Sequence, residues 1–181
     1  MLDFSNSKIL IVGDVMLDKY YFGKVDRISP EAPVPIVNIQ KEESRLGGAS
    51  NVANNIVSLG GHSLLCGVIG HDLFGKEIER ISRHKNIDTF LLKTSSPTIT
   101  KARIIGGKQQ IVRVDYEDKS ELNADNKKLF RDTISRILPE YDILVISDYG
   151  KGLISEDLCR YLIKLAHKYD KKVIIDPKGK N

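Results

Sequence analysis

Three short apolar runs constrain the fold of this chain more than any other feature. Ile9-Leu10-Ile11-Val12 leads into Gly13-Asp14, Ile143-Leu144-Val145-Ile146 into Ser147-Asp148, and Val173-Ile174-Ile175 into Asp176-Pro177. A strand with one wet face alternates apolar and polar residues, whereas a strand buried on both faces of a parallel sheet does not. Each run ends in a polar residue at what would be the carboxyl edge of such a sheet, where ligands of open α/β sheets collect. Residues 63–69 read as another buried strand and residues 89–92 as a short one. Amphipathic helices are expected over 74–84, 123–138 and 155–169. The last begins with Ser155, Glu156 and Asp157, which suit a helix N-terminus. The alternation predicts an α/β fold, a mostly parallel sheet with helices on both faces.

Two stretches break that rhythm. After the first strand come an aromatic, strand-like segment of about 17–25, a proline-stiffened loop (Arg27-Ile28-Ser29-Pro30-Glu31-Ala32-Pro33) and a strand of about 34–40 whose proline suits a sheet edge. Farther on, alternating strands of about 98–105 and 109–116 flank Gly106-Gly107-Lys108, which reads as a hairpin. Together these four predict a small separate sheet. One face of it carries Lys101, Arg103, Arg113 and Asp115, either solvated edge charges or groups facing a phosphorylated ligand. Asp14 and Asp18 lie just beyond the first buried strand and are candidates for holding hydroxyls. Asp14 could equally be a turn or cap residue.

Leu46-Gly47-Gly48-Ala49-Ser50-Asn51-Val52-Ala53 is a glycine pair opening into a helical pattern that Gly60-Gly61 stops. Two glycines there put bare backbone and orphan N–H groups in front of the helix, a setting suited to a polyhydroxylated or anionic molecule. Asn51, one turn in, can donate and accept. The plainer reading is a junction that needs glycine for its turn.

Composition narrows the partners. Of the 181 residues, 41% are hydrophobic and 29% charged, a globular balance, and the net charge of +4 is dispersed rather than gathered into a basic tract. Nucleic acid is not indicated. The first eight residues lack the pattern of a signal peptide, and no apolar run approaches a membrane span. Cys66 and Cys159 sit far apart in apolar segments and read as free thiols of a cytoplasmic protein. The scattered His62, His71, His84 and His167 suggest neither a metal site nor acid–base chemistry.

With these pieces assembled, the glycine motif and the fixed distances to Gly60 and Gly70 resemble the first signature of the ribokinase-like (PfkB) carbohydrate kinases. Gly13-Asp14-Val15-Met16-Leu17-Asp18 resembles that family's first strand and sugar-binding aspartate, and the small sheet its lid. The block from Arg27 to Pro35, Gln109-Gln110-Ile111-Val112-Arg113-Val114-Asp115, Ser147-Asp148-Tyr149-Gly150-Lys151-Gly152 and Asp176-Pro177-Lys178-Gly179 resemble the branch that acts on D-glycero-β-D-manno-heptose 7-phosphate. The resemblance implies ATP- and Mg²⁺-dependent phosphorylation of the heptose O1 to a 1,7-bisphosphate, for ADP-heptose and lipopolysaccharide core synthesis. It implies sugar contacts by Asp18 and Asp14, by the backbone at Gly47 and Gly48, by Asn51 and by Asp148. Arg113 and Lys178 are candidates for the sugar phosphate on charge and position. The family's lids often make dimer contacts, so a homodimer through the lid is expected.

The family's Gly-x-Gly-Asp motif, which carries the catalytic aspartate and an anion hole, does not occur in residues 1–181, and neither does its Asn-x-x-Glu motif. No catalytic residue is therefore assigned, the fold is expected to be incomplete at the C-terminus, and the chain is expected to be an inactive N-terminal part of a larger kinase. Two alternatives stand beside this reading: a kinase for another phosphorylated sugar, and a non-catalytic sugar-binding or dimerisation module.

Overall fold

The computed structural model describes residues 4–118 and 120–178; Gly179 of the final motif lies outside them. In chain order the elements are β1 (Lys8–Gly13), β2 (Val15–Ile28), β3 (Pro35–Gly48), α1 (Ala49–Ser58), β4 (His62–Gly70), α2 (Leu73–His84), β5 (Asp88–Thr94), β6 (Thr100–Gly106), β7 (Gln109–Tyr116), α3 (Ala124–Ile137), β8 (Ile143–Ser147), α4 (Glu156–Lys168) and β9 (Lys172–Asp176). They form two sheets. The first has five strands in the order β5-β4-β1-β8-β9, every pair parallel. The second has four, β3-β2-β6-β7.

The first two apolar runs, in β1 and β8, lie at the centre of the parallel sheet, as their pattern predicts; the third, in β9, is an edge strand, with Ile174 54% and Ile175 41% exposed. Leu10 and Val12 face one side, buried with Leu144 and Ile146 of β8, Phe130 and Ile134 of α3 and Leu162 of α4. Ile11 faces the other, with Val145, Ala49, Ala53, Ile78 and Ile81 of α1 and α2. Helices cover both faces, so an alternating strand would have buried polar groups on one of them. The helix starts follow local chemistry: Asp72, Asn123 and Ser155 each accept a bond from the backbone N–H three residues on.

The small sheet is a long antiparallel ribbon of β2 and β3 with the β6–β7 hairpin added beside β2. The hairpin turns at Gly107, whose φ of 62° needs no side chain, and Pro35 opens the edge strand β3, where its missing N–H costs least. The sequence expectation fell short in one respect. β2 and β3 run to 14 residues each, well past 17–25 and 34–40. Residues 41–46 carry no strand pattern, yet they pair from Phe22↔Lys41 to Leu17↔Leu46. The ladder to β2 imposes strand there against weak local preference. The glycine pair accordingly ends a strand rather than a loop, and β3 passes directly into α1.

Two contacts fix the small sheet on the core. Only Asp14 separates β1 from β2. At the other entry, Asp72 accepts from the Thr98 N–H at 2.7 Å and from the Thr98 hydroxyl at 2.7 Å, while that hydroxyl accepts from the Gly70 N–H at 2.8 Å. Helix α2 leans on one face of the small sheet, with Phe74 against Tyr116 at 5.3 Å between ring centroids. The opposite face looks over the carboxyl edge of β1 and β8.

Candidate functional site

Asp14 sits at that carboxyl edge and is 1% exposed. Its Oδ2 accepts from the N–H groups of Tyr149 at 2.8 Å and Lys151 at 3.1 Å, and its Oδ1 from Leu153 at 3.4 Å. Burial pushes its carboxyl above the usual range, the three backbone donors pull it back only in part, and nearby Asp148 adds to the rise. Read from the sequence either as a hydroxyl ligand or as a turn or cap residue, Asp14 holds the 149–153 loop on the end of β1 through these bonds. Its carbonyl oxygen also accepts from the Ala49 N–H at 3.0 Å, which seats the start of α1.

Four residues on, Asp18 is in the small sheet and 22% of its side chain is open. Arg103 Nη1 donates to its Oδ1 at 2.6 Å. Its Oδ2 lies against Gly47, where a Cβ would stand 2.5 Å from that oxygen and 2.9 Å from Met16 Cγ. Gly47 is therefore required for close approach. Gly48 is required for conformation as well: its φ is +54°, and a Cβ would meet Asp14 O at 2.4 Å. Ser50 completes the turn, its hydroxyl donating to Gly47 O at 2.6 Å. Gly48 caps α1 with no side-chain bond, and of the first-turn N–H groups that of Ala49 donates to Asp14 O. Asn51 is exposed on that turn.

Asp148, half-buried, uses Oδ1 to accept from the Gly150 N–H at 2.7 Å, and its own N–H donates to Asp176 O at 3.0 Å. That leaves Oδ2 for another partner. Arg113 makes a two-pronged ion pair with Asp115, at 2.8 and 3.0 Å, on the open side of β7. Lys178 is exposed, with its aliphatic stem beside Gly150.

Lys101, which the sequence places among several charges on one face of the small sheet, stands apart from the others in the structure. Its cross-strand neighbours are Asp18 on one side and Asp115 on the other. Asp18 is held by Arg103 and Asp115 by Arg113. Burial lowers the pKa of the Lys101 ammonium, and Lys151, Lys178 and Arg113 lower it further, while Asp18 acts the other way. Lys151, in turn, is nearly buried and paired with Glu117. Cations thus converge over the carboxyl edge, around a lysine whose two register partners are already engaged. Such an arrangement attracts an anion. The signal was only half present in the sequence: alternation put Lys101 on the right face, but the engagement of its neighbours is a property of the pairing.

Of the sequence candidates, the structure brings Asp18, Gly47, Gly48 and Asn51 to one wall and Asp148 and Lys178 to the loop side. Asp14 lies beneath, and Arg113 stands at the outer strand. Among the described residues no group of three or more His, Cys, Asp and Glu could hold a metal ion, and no helix is long and apolar enough to cross a membrane. Cys66 is buried, its thiol pushed up to about 12 by burial, while Cys159 is only partly covered.

Comparison with known proteins bears on the family and the fold. The chain is 47% identical over 176 residues to the bifunctional protein HldE of Helicobacter pylori strain P12, covering 96% of this chain and 38% of that protein. Against its counterpart in a Nitratiruptor species the identity is 43% over 172 residues, 95% and 37% of the two chains. The chain therefore spans well under half the length of these relatives. Among solved structures, Escherichia coli phosphofructokinase-2 in complex with fructose-6-phosphate superposes with a TM-score of 0.69 at 20% identity, over 99% of this chain and 56% of that one. A putative phosphofructokinase from Staphylococcus aureus gives 0.75 at 15% identity, over 93% and 52%. These two share the fold, a ribokinase-like parallel sheet with a second small sheet. From residue 6 to residue 181 the chain matches the pfkB family carbohydrate kinases, and it belongs to that family.

Proposed function

We propose that this chain is the sugar-binding part of a cytoplasmic kinase that transfers the γ-phosphoryl group of ATP to O1 of D-glycero-β-D-manno-heptose 7-phosphate. The product would be the 1,7-bisphosphate used for ADP-heptose and lipopolysaccharide core synthesis. The observation that carries the reading is the pairing of a hydroxyl-binding wall with an uncompensated cation. Asp18 presents an oxygen beside the bare backbone of Gly47 and Gly48, and Lys101 stands next to it with both register partners engaged. A neutral sugar would need the first feature alone; a sugar phosphate needs both. Asp18 accepts from sugar hydroxyls, Asn51 and the first turn of α1 add donors, and Asp148 offers its remaining oxygen. Lys101 and Lys178, with Lys151 behind them, hold the phosphate. Arg113, tied to Asp115, acts at the rim, and Asp14 serves the site by fixing the 149–153 loop.

ATP and Mg²⁺ enter this reading through the family. The aspartate base and anion hole belong to a Gly-x-Gly-Asp motif, and the Mg²⁺ and phosphate contacts to an Asn-x-x-Glu motif, neither of which residues 1–181 contain. The chain on its own is then inactive and binds sugar phosphate without turning it over. A second copy pairs through the small sheet, where Val112, Val114 and Tyr116 leave an exposed apolar strip on β7; a purely monomeric full-length protein in sedimentation would remove that part of the reading.

The deciding experiment measures ATP-dependent phosphoryl transfer by the full-length protein to heptose 7-phosphate, fructose 6-phosphate and ribose. Transfer to the heptose phosphate is expected to exceed the others by about a hundredfold or more, the range that several buried polar contacts can discriminate. Equal rates would sink the heptose assignment and leave a kinase of another phosphorylated sugar. No transfer to any sugar would favour a binding module.

A further inference from the structure

Arg103 is not among the proposed substrate contacts, yet it is the residue most closely tied to Asp18. It lies on β6 directly opposite Tyr20, so reaching Asp18 takes it diagonally across the sheet. Its guanidinium crosses the Tyr20 ring, 5.1 Å from the centroid, before Nη1 meets Asp18 Oδ1 at 2.6 Å. Arg45 also lies over the Tyr20 ring, at 4.9 Å, and Phe22 stacks beside it with 6.1 Å between ring centroids. Tyr20 is thus a platform held on several sides, and a guanidinium resting on it is fixed in plane and height. Asp18 is then gripped from two directions, with Oδ1 by Arg103 and Oδ2 by the close wall of Gly47.

We propose that Arg103 is a positioning residue for the sugar site: it locks the Asp18 carboxylate in the orientation that presents Oδ2 to a substrate hydroxyl, and it does so from the Tyr20 platform. The inference rests on the assignment of Asp18 to sugar binding. It also separates two cations of one strand. Lys101, with its partners engaged, is left for the substrate's anion; Arg103, with its charge already matched by Asp18, acts through that carboxylate and does not touch substrate. A pre-set carboxylate binds without first losing its own rotational freedom, so the benefit appears in affinity.

The test is a double-mutant cycle in the full-length kinase, using Asp18→Asn, Arg103→Gln and the pair, with heptose 7-phosphate and the unphosphorylated heptose as substrates. Arg103→Gln is expected to raise KM for heptose 7-phosphate about tenfold, the scale of one charge-assisted hydrogen bond, with kcat within about twofold of wild type. Adding it to Asp18→Asn is expected to change KM little further, because both act on the same carboxylate. Arg103→Lys, which keeps the charge but loses the planar stack, should recover only part of the affinity. Effects that simply multiply in the double variant would overturn the proposal. So would a fall in preference for the phosphorylated over the unphosphorylated sugar in Arg103→Gln, because that would place Arg103 on the phosphate itself. An Asp18→Asn variant with unchanged KM would refute instead the assignment of Asp18 to the sugar.

Discussion

Asp14 and Asp18 are close neighbours in sequence yet serve different sheets, and the contrast between those sheets is the contrast between the two residues. The centre of the parallel sheet is covered on both faces, its strands there read as unbroken apolar runs, and the carboxylate at the end of its central strand is buried and engaged by three backbone donors. The small sheet has one face leaned on by α2 and one face open, and on the open face charges pair with one another: Asp18 with Arg103 and Arg113 with Asp115. On the proposed reading, stability is concentrated in the first sheet and recognition in the second. They meet where β1 ends and β2 begins.

The sharpest way to break this division is to exchange the consequences of losing each aspartate. Asp14→Ala leaves the N–H groups of Tyr149, Lys151 and Leu153 without their acceptor in a buried place. It should cost about 3–5 kcal/mol of unfolding free energy, the scale for removing one partner of a buried charged network. Asp18→Ala, which opens a partly exposed ion pair, should cost no more than about 1 kcal/mol. Urea melts of the two variants check this directly. Equal losses would mean that the small sheet is as much a part of the stabilising core as the parallel one.

The next effect is smaller in stability and larger in binding. Gly47→Ala puts a methyl 2.5 Å from Asp18 Oδ2 and 2.9 Å from Met16 Cγ. One of them must move, and the carboxylate is the more mobile, being only partly buried. The expected result is a loss of about 1–2 kcal/mol in stability, typical of overpacking, with affinity for the sugar phosphate reduced about tenfold or more. Calorimetric titration with heptose 7-phosphate alongside a thermal melt separates the two. A pure stability loss with intact affinity would return Gly47 to the role of a packing residue.

How much of this was legible in the sequence follows the same division. The core strands announced themselves because burial on both faces demands uninterrupted apolar residues, and that demand is local. The helices announced themselves through periodicity and through a cap such as Ser155. Lys41 to Leu46 did not, because nothing local makes Lys-Glu-Glu-Ser-Arg-Leu a strand; its pairing with β2 does. Gly47, Gly48 and Asp18 could be singled out because close approach and an acceptor at fixed spacing leave a trace in sequence. The work of Asp14 could not be read, since its partners lie 135 to 139 residues away. Nor could the isolation of Lys101, which depends on two neighbours being bound to two arginines.

Lys101 also supplies the subtlest test, one that bears only on the small sheet. Burial and the neighbouring cations hold its pKa below the ordinary 10.5. In the window between its folded value and 10.5, the unfolded chain binds the proton that the folded chain has released. The stability contribution of this group therefore rises as pH rises through the folded value, and its unfavourable part is fully present below it. A bound phosphate reverses the preference, because the dianion favours the ammonium form. Affinity for the sugar phosphate should then weaken as pH climbs through the folded pKa of Lys101, before an ordinary lysine would titrate. The decline expected is about two- to fivefold per pH unit, below the tenfold limit for one proton. Lys101→Met should bind more weakly at neutral pH, lack this alkaline decline and keep a wild-type melting temperature to within about 2 °C, as a substitution outside the core permits. If Lys101→Met instead keeps full affinity together with the decline, the anion is held elsewhere in the ring of cations. The division between a stabilising sheet and a recognising one would then survive, with a different lysine at its centre.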